Sequence, residues 1–192
     1  QGFEAMHPDV KFIVEEKGST AILEDVCSLN SDLGLISMHI DNERFISQPL
    51  FEDELVFICS EASPLKGVVE ISDLLGYKFI TRSDQSATRK EIDRLMIENG
   101  YDLALLENVV ESDNMNLIIH LVSRGLGISY MSKRIFDCFQ KTMRVKAFNI
   151  RGLHVVREIN LITNRRRTLS PAAEDFIKYL SEIEIETKGT LK

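Results

Sequence analysis

Five uncharged hydrogen-bonding side chains occur within the eight residues from 81 to 88, TRSDQSAT; they are Thr81, Ser83, Gln85, Ser86 and Thr88. An apolar run, YKFI, precedes this segment and a charged helical pattern, RKEIDRLMIENG, follows it, so a strand-to-helix junction is predicted. The N-terminus of a helix has free backbone N–H groups and a partial positive charge. Short hydroxyl and amide side chains around it would bind a small anion or another polar ligand.

Helix capping is the alternative interpretation of the same stretch. Thr88 and Glu91 fit the S/T-x-x-E capping box, and Ser86 or Ser83 could cap the helix instead. Capping needs only one or two hydroxyls and leaves the others unexplained. We therefore predict that Ser86 and Thr88 contact a ligand, with Ser83 and Gln85 beside them.

Polar residues follow predicted strands at two other places, GST (18–20) and SDN (112–114). In α/β proteins, ligands collect outside the carboxyl ends of the strands, where such turns lie. The three turns are predicted to converge on one cleft, so Ser19 and Thr20 join the predicted ligand-binding residues.

The elements that must position these turns follow from hydrophobic periodicity and breaker residues. Strands are predicted at 10–16, 32–38, 53–60, 77–80, 107–112, 126–131, 143–150 and 157–163, and helices at 21–29, 70–76, 87–99, 114–125 and 170–183. Ser170 is a predicted N-cap, and Pro171 takes the first helical position. Strands that alternate with helices indicate an α/β fold with mainly parallel sheets.

A weak internal similarity links residues 12–38 with residues 108–131. Each segment runs from a strand through an acidic residue and a polar cap to an apolar-faced helix, and ends in Leu-Gly-Leu or Leu-Gly-Ile with a nearby Met. The pattern suggests two subdomains built on one plan.

Charge and composition argue against several functions. The 192 residues have a formal net charge of −7, and an acidic chain repels phosphate backbones. The one basic run, 165–167, is interpreted as a solvated loop. No apolar stretch reaches the roughly 18 residues that cross a bilayer, and no leader begins the chain, so no membrane association is expected.

The cysteines and histidines give no indication of a disulfide framework or a metal site. Cys27, Cys59 and Cys138 are widely spaced beside apolar residues, which is typical of reduced, buried thiols in a cytoplasmic protein. The four histidines are scattered, so we expect no metal site and no cofactor. No nucleophile–base pair or carboxylate pair has the spacing that catalysis requires, so no catalytic residue is predicted and we do not expect an enzyme.

The chain resembles the effector-binding domain of LysR-type transcriptional regulators. The similar segments, in the family's order, are F-x-x-x-HPDV-x-F (3–12), DLGLIS (32–37), PLFEDELVFICSEASPL (49–65), ISDLLGYKFITR (71–82), LVSRGLGISYMS (121–132) and LSPAAEDFIKYL (169–180). The 82–89 stretch is also similar to an R-E-x-G-S-G-T-R turn found in one group of these regulators. Arg82, Ser86, Thr88 and Arg89 match that turn, while Ser83, Gln85 and Ala87 depart from it.

The resemblance implies two Rossmann-like subdomains with a cleft between them, as in type II periplasmic binding proteins. Their expected limits are 1–57 plus 163–192 for the first, incomplete at its N-terminus, and 63–158 for the second. A small, anionic effector is expected in the cleft, with Ser19 and Thr20 on one wall and Ser86 and Thr88 on the other.

The resemblance also implies assembly and DNA binding. A homodimer feeding a tetramer is expected, through the helix that ends at FEAMHPDV and the helix MNLIIHLV (115–122). DNA would be bound only through a winged helix-turn-helix domain that we expect to be absent from this chain. A solute-binding protein of a transport system is the alternative, because it shares the two-lobed cleft.

Overall fold

The computed structural model describes residues 2–38, 40–103 and 107–190. Its helices are α1 (Gly2–Met6), α2 (Ser19–Cys27), a 3₁₀ helix (Ile71–Leu74), α3 (Ala87–Glu98), α4 (Met115–Ser123), α5 (Lys133–Met143) and α6 (Pro171–Thr190). Its strands are β1 (Gly34–Ile36), β2 (Phe45–Ser60), β3 (Gly67–Val69), β4 (Lys78–Thr81), β5 (Glu107–Glu111), β6 (Ser129–Ser132), β7 (Val145–Ile150) and β8 (Val155–Asn164).

The chain forms two compact units. The first comprises Gln1–Glu52 and Glu158–Lys192, and the second comprises Asp53–Arg157. Strands β2 and β8 each cross the boundary, so Asp53 and Arg157 are the residues at which the chain enters and leaves the second unit.

In the first unit, β1 pairs with β8 in antiparallel register, with Leu35 opposite Leu161. Helix α2 packs on this sheet around Val26, Ile36 and Ile162. Gly34 permits the close approach, because a Cβ atom there would lie 2.4 Å from a methyl carbon of Ile22. Any larger residue would push α2 away from β1.

In the second unit, β2 pairs with both β6 and β7 in antiparallel register, and β3 pairs with β7 in parallel register. Strand β4 pairs in parallel with β5, and a parallel bridge joins Phe79 to Ile128. Gly127 makes that bridge possible, since a Cβ atom there would lie 2.4 Å from the Lys78 carbonyl oxygen. The carboxyl end of β4 is therefore held from both sides, and α3 begins there.

Strand direction differs from the sequence-based prediction. The sheets were expected to be mainly parallel, but three of the five strand pairs whose register is described are antiparallel. The segment 32–38 was predicted as a buried parallel strand, yet β1 is antiparallel and Leu35 is 40% exposed. Periodicity reports burial along one strand and carries no information about the direction of its neighbour.

The sequence-based prediction of elements failed at several places, and β3 was not predicted. Residues 10–16 are not a strand, and Ile13 and Val14 are 80% and 87% exposed. β-Branched side chains favour a strand only where a partner strand accepts the backbone hydrogen bonds, and no described strand pairs with this segment. Helix α5 was not predicted, because Ser132 is both the last residue of β6 and the N-cap of α5, so no turn residues separate them.

The cysteines do not all follow the prediction of buried thiols. All three are free, and Cys59 is buried in the second unit, where burial raises its pKa above the ordinary value. Cys27 is half-buried, whereas Cys138 on α5 is exposed. The prediction for Cys138 is therefore wrong: Phe136, two residues earlier on the same helix, is buried while Cys138 faces solvent.

Candidate functional site

The turn between β4 and α3 is built by Ser86, which is the N-cap of α3. Its backbone is extended, and its hydroxyl oxygen accepts a hydrogen bond from the Arg89 N–H at 3.4 Å. The helix begins at Ala87, as the sequence predicted. Ile92 and Met96 lie one and two turns further on and are buried in the core beneath α3. Ser86 itself is more than nine-tenths buried, so the cap is part of the packed structure.

Thr88, in the first turn of α3, is bound by an ion pair whose carboxylate is buried and whose guanidinium is one-fifth exposed. Its hydroxyl oxygen accepts a hydrogen bond from Arg157 Nη1. The other side of that guanidinium donates to Asp53 Oδ2, from Nε at 2.9 Å and from Nη2 at 2.7 Å. Ser132 donates to the second carboxylate oxygen of Asp53 at 2.5 Å. The four residues form a continuous chain from β6 through β2 and β8 to α3.

The two arginines of the turn pair with acidic side chains from α3, from the end of β5 and from the turn after β5. Arg89 donates to Glu111 at 2.7 Å, to Asp93 at 3.4 Å and to the Arg82 carbonyl oxygen at 3.0 Å. Arg82 donates to Asp113 at 2.8 Å. Both guanidinium groups therefore brace the junction internally.

Asp113 joins two of the three polar turns that the sequence singled out. It accepts hydrogen bonds from the Ser83 N–H and from Arg82, and these hold its pKa below the ordinary value although partial burial acts in the opposite direction. The next residue, Asn114, caps α4 by accepting from the Leu117 N–H at 3.1 Å. The turns at 81–88 and 112–114 are thus in direct contact within the second unit.

The remaining predicted residues of the turn have different surroundings. Ser83 is half-buried, and its N–H is bound to Asp113. Gln85 is exposed, and its amide donates to Asp84. Their side chains border the start of α3 without the burial that Ser86 and Thr88 show.

Ser19 and Thr20 are the first two residues of α2, in the first unit. The N-cap of α2 is Gly18, which provides no side-chain hydrogen bond. Ser19 is half-buried and Thr20 is exposed. Their part in a common ligand site with Ser86 and Thr88 stays a prediction.

Two buried hydroxyls beside the turn lack partners of regular geometry among the described residues, those of Thr81 and Tyr130. Burial raises the pKa of Tyr130 to about 12, an effect that the nearby Arg82 backbone N–H offsets only in part. A buried hydroxyl without a full hydrogen bond is destabilising, so Tyr130 is a weak point of the core under α3.

Sequence reasoning missed Asp53, Ser132 and Arg157. Asp53 and Arg157 were noted only as residues at the starts of strands, and Ser132 only as the last residue of the family-like segment 121–132. The one signal was a charged residue of opposite sign at the start of each of two mainly apolar runs. That signal identifies a pair only when β2 and β8 are known to be neighbours, which the sequence does not reveal.

Other chemistries find no support in the described part of the chain. Residues 2–38, 40–103 and 107–190 contain no group of three His, Cys, Asp or Glu side chains arranged to hold a metal ion; His39 lies outside them. Within the same residues, no helix combines the length and apolarity that a membrane span requires.

Comparison with known proteins gives a consistent result. Residues 1–183 match the sequence profile of the LysR substrate binding domain. The HTH-type transcriptional regulator YeiE of Escherichia coli K12 is 28% identical over 174 residues, which are 90% of this chain and 58% of YeiE. The chain therefore spans less than two thirds of that relative.

Two solved structures show the same fold. The effector binding domain of QuiR in complex with shikimate has a TM-score of 0.80 at 24% identity, covering 96% of this chain and 88% of that one. The CcmR regulatory domain of Synechocystis PCC6803 in complex with 2-PG has a TM-score of 0.83 at 20% identity, covering 95% and 88%.

These likenesses confirm the predicted α/β fold of the two-lobed type II periplasmic-binding-protein class. They also confirm the resemblance stated from the sequence motifs, since the profile spans nearly the whole chain. The family is a domain of transcriptional regulators, and by the match over residues 1–183 this chain belongs to the LysR substrate-binding domain family.

Proposed function

We propose that this chain is the effector-sensing domain of a LysR-type bacterial transcription factor and that it binds a small anionic metabolite. The observation that carries the proposal is the family match over residues 1–183. We further propose that the two compact units correspond to the subdomains predicted at 1–57 plus 163–192 and at 63–158, with the effector in a cleft between them.

The chemistry of the β4–α3 turn supports an anion. The hydroxyl oxygens of Ser86 and Thr88 both accept hydrogen bonds from within the protein. A hydroxyl that accepts in this way retains its own proton for donation. The first N–H groups of α3 are donors too, and a helix N-terminus favours negative charge. A carboxylate or phosphate oxygen would be the complementary group, with Ser83 and Gln85 at the border and Ser19 and Thr20 contributing from the first unit.

The rest of the regulator's function is proposed from the same relationship. Because YeiE is an HTH-type regulator and this chain spans 58% of it, DNA would be bound by a helix-turn-helix segment outside this chain. Effector binding would favour one arrangement of the lobes and so change transcription. The domain would act in the cytoplasm, would catalyse no reaction and would need no cofactor.

Assembly as a homodimer and then a tetramer is also proposed, through α1 and α4. On α4, Leu117 is 43% exposed and is available for such a contact, whereas Ile118 and Val122 are fully buried in the core of their own unit. Light scattering on the full-length protein should give a dimer or tetramer mass, and a monomer at high concentration would contradict the proposal.

Thermal-shift and calorimetric titration of the full-length protein would test effector binding. The panel contains shikimate, 2-PG, inorganic phosphate and sulfate, with cyclohexylamine as a cation and glucose as a neutral compound. An anion at 100 times its Kd should stabilise the protein by about 2.7 kcal/mol, while the cation and the sugar should not. A panel in which no anion raises the melting temperature would overturn the proposal of an anionic effector.

Substitutions then locate the site. Thr88→Val should weaken binding of the stabilising anion by roughly 1–3 kcal/mol, and Ser86→Ala by somewhat less, since each removes one donor. Ser72→Ala, an exposed serine of the same unit, is the matched control and should bind like the wild type. If both turn variants bind as tightly as the control, the turn is only a helix cap.

A further inference from the structure

We propose that Arg157, held in place by Asp53, is a positioning residue that orients the Thr88 hydroxyl so that it donates its proton to the effector, and thereby favours acceptor groups on the effector. The inference rests on the proposed function for its ligand. It rests on the buried chain Ser132–Asp53–Arg157–Thr88 for its mechanism.

The geometry leaves Arg157 little freedom. Its guanidinium meets one Asp53 oxygen through two N–H groups, and that two-point contact fixes the plane of the group. Asp53 is 2% exposed and its second oxygen is occupied by Ser132, so the carboxylate is fixed as well. The remaining nitrogen, Nη1, is directed at Thr88.

The consequence for Thr88 follows from hydrogen-bond chemistry. A guanidinium donates and never accepts, so the threonine oxygen must be the acceptor in this contact. The hydroxyl proton is then the group that Thr88 offers to a ligand, and donation from a hydroxyl is strengthened when its oxygen already accepts. A carboxylate, phosphate or carbonyl oxygen can accept that proton. An ammonium group could use only the remaining lone pair of the threonine oxygen, and it would be repelled by the positive charge of Arg157.

Arg157 also connects the β4–α3 turn to other elements of the second unit. It is the last residue of the second unit on β8, and Asp53 is the first on β2, so the contact joins the start of α3 to both strands that carry the chain across the boundary. Arg89 and Arg82 do not connect α3 to β2 or β8, because their acidic partners Glu111 and Asp113 lie at the end of β5 and in the turn after it.

The first arm of the test needs no ligand. Hydrogen–deuterium exchange is measured on full-length wild type, on Arg157→Gln and on Arg151→Gln, an exposed arginine of the same unit paired with Glu70. Arg157→Gln should raise exchange in residues 84–92 at least about threefold, and Arg151→Gln should not, since only Arg157 holds that turn. Unchanged exchange in Arg157→Gln would overturn the positioning role.

Because Arg157→Gln leaves a buried carboxylate without its cation, a second variant is needed should this one unfold. The double variant Asp53→Asn with Arg157→Gln removes both charges and is the substitute in that case. It should fold and still show faster exchange in residues 84–92. Arg157→Lys keeps the charge and a donor, and should restore part of the protection.

The second arm separates positioning from a general charge effect. Calorimetric Kd values are measured for inorganic phosphate, shikimate and cyclohexylamine. The proteins are the wild type, Arg157→Gln, Thr88→Val and the variant that combines Arg157→Gln with Thr88→Val. Each single variant should weaken binding of the anions about tenfold, and the double variant should be no weaker than the worse single one, because Arg157 acts through Thr88. Thr88→Ser should bind like the wild type.

The outcomes of this arm are distinguishable. Additive losses, or anion binding unaffected by Arg157→Gln, would overturn the inference while leaving the proposed function intact. If the wild type binds neither anion, this anion-binding proposal fails, and the exchange arm alone decides whether Arg157 positions the start of α3.

Discussion

The starts of α3 and α2 carry the same sequence signal and differ in how the structure completes it. Both have hydroxyl residues at the first turn of a helix that follows a predicted strand. At α3, Ser86 and Thr88 are more than nine-tenths buried and each oxygen accepts a defined hydrogen bond. At α2, the N-cap is Gly18, no side chain caps the helix, and Thr20 is exposed.

This difference shows what preorganisation requires. A serine or threonine at the start of a helix does not by itself have an oriented hydroxyl group. A fixed orientation requires a hydrogen-bond partner that is itself held in place. At the α3 turn that partner is Arg157, which lies 69 positions after Thr88 in the sequence. The α2 turn has no such partner among the described residues, so its hydroxyls are free to rotate. Four variants test how far these buried contacts stabilise the second unit and its α3 turn in comparison with the start of α2.

The largest effect is expected from Arg157→Met. Asp53 would be left in a buried site without its cation, and the loss of one partner of such a pair costs about 3 kcal/mol or more in the free energy of unfolding. Urea denaturation gives this value directly. Arg151→Met removes an exposed ion pair and should leave the free energy of unfolding nearly unchanged. Equal costs in the two variants would show that the buried chain adds nothing.

Tyr130→Phe should change the alkaline stability of the second unit. The folded-state pKa of Tyr130 is raised from 10.0 to about 12, so the neutral form stabilises the protein fully below pH 10 and this contribution is lost as the pH rises through 12. At about 1.36 kcal/mol per pKa unit, the wild type should lose about 2 kcal/mol more than Tyr130→Phe between pH 9 and pH 12.

At pH 7 the Tyr130 hydroxyl is neutral, so Tyr130→Phe then measures only the effect of removing the hydroxyl group. Removal of a buried hydroxyl without a regular partner should leave the unfolding free energy unchanged or raise it by up to about 1 kcal/mol. A loss of stability at pH 7 would show that the hydroxyl has a good partner after all, for example an ordered water.

Ser86→Ala tests the cap of α3 without any ligand. Loss of an N-cap side chain costs about 1 kcal/mol of stability, measured by urea denaturation. The matching change at the other helix start, Ser19→Ala, should cost much less, because Ser19 is not the cap of α2. A similar cost at both positions would remove the difference between the two turns.

The smallest effect is expected from Gly18→Ser, which gives α2 the side-chain cap that it lacks. Gly18 has an extended backbone, and a Cβ atom there would meet nothing within 4 Å, so serine fits. The gain over glycine should be a few tenths of a kcal/mol. Thermal melts whose replicate error is below that value decide whether Gly18→Ser is more or less stable than the wild type. A lower stability would show that the added hydroxyl does not reach the N–H groups of α2.

Much of the local structure could be predicted from the sequence because its causes are local. Helix α3 begins at Ala87 after a capping serine, and Ser170 caps α6 by accepting from the Ala173 N–H at 3.2 Å. Apolar periodicity located α4, and the structure shows that Ile118 and Val122 are its buried residues. Short-range geometry and side-chain type are sufficient for such features.

The tertiary structure decided the features that depend on a distant partner. Residues 10–16 have the composition of a strand and are not one, since a strand requires a neighbour. Arg89, which the sequence offered only as a match to the family's turn, is half-buried and pairs with Glu111 and Asp93.

By itself, the sequence determined the family, the α/β class and the polar junction at 81–88, because ordered motifs and residue types are written along the chain. Only the tertiary structure brought Asp53 to Arg157, 104 residues later, and Arg157 to Thr88. Their pairing depends on which strands become neighbours and in which direction, and no local pattern encodes that choice. The orientation of the Thr88 hydroxyl is therefore a property of the folded unit.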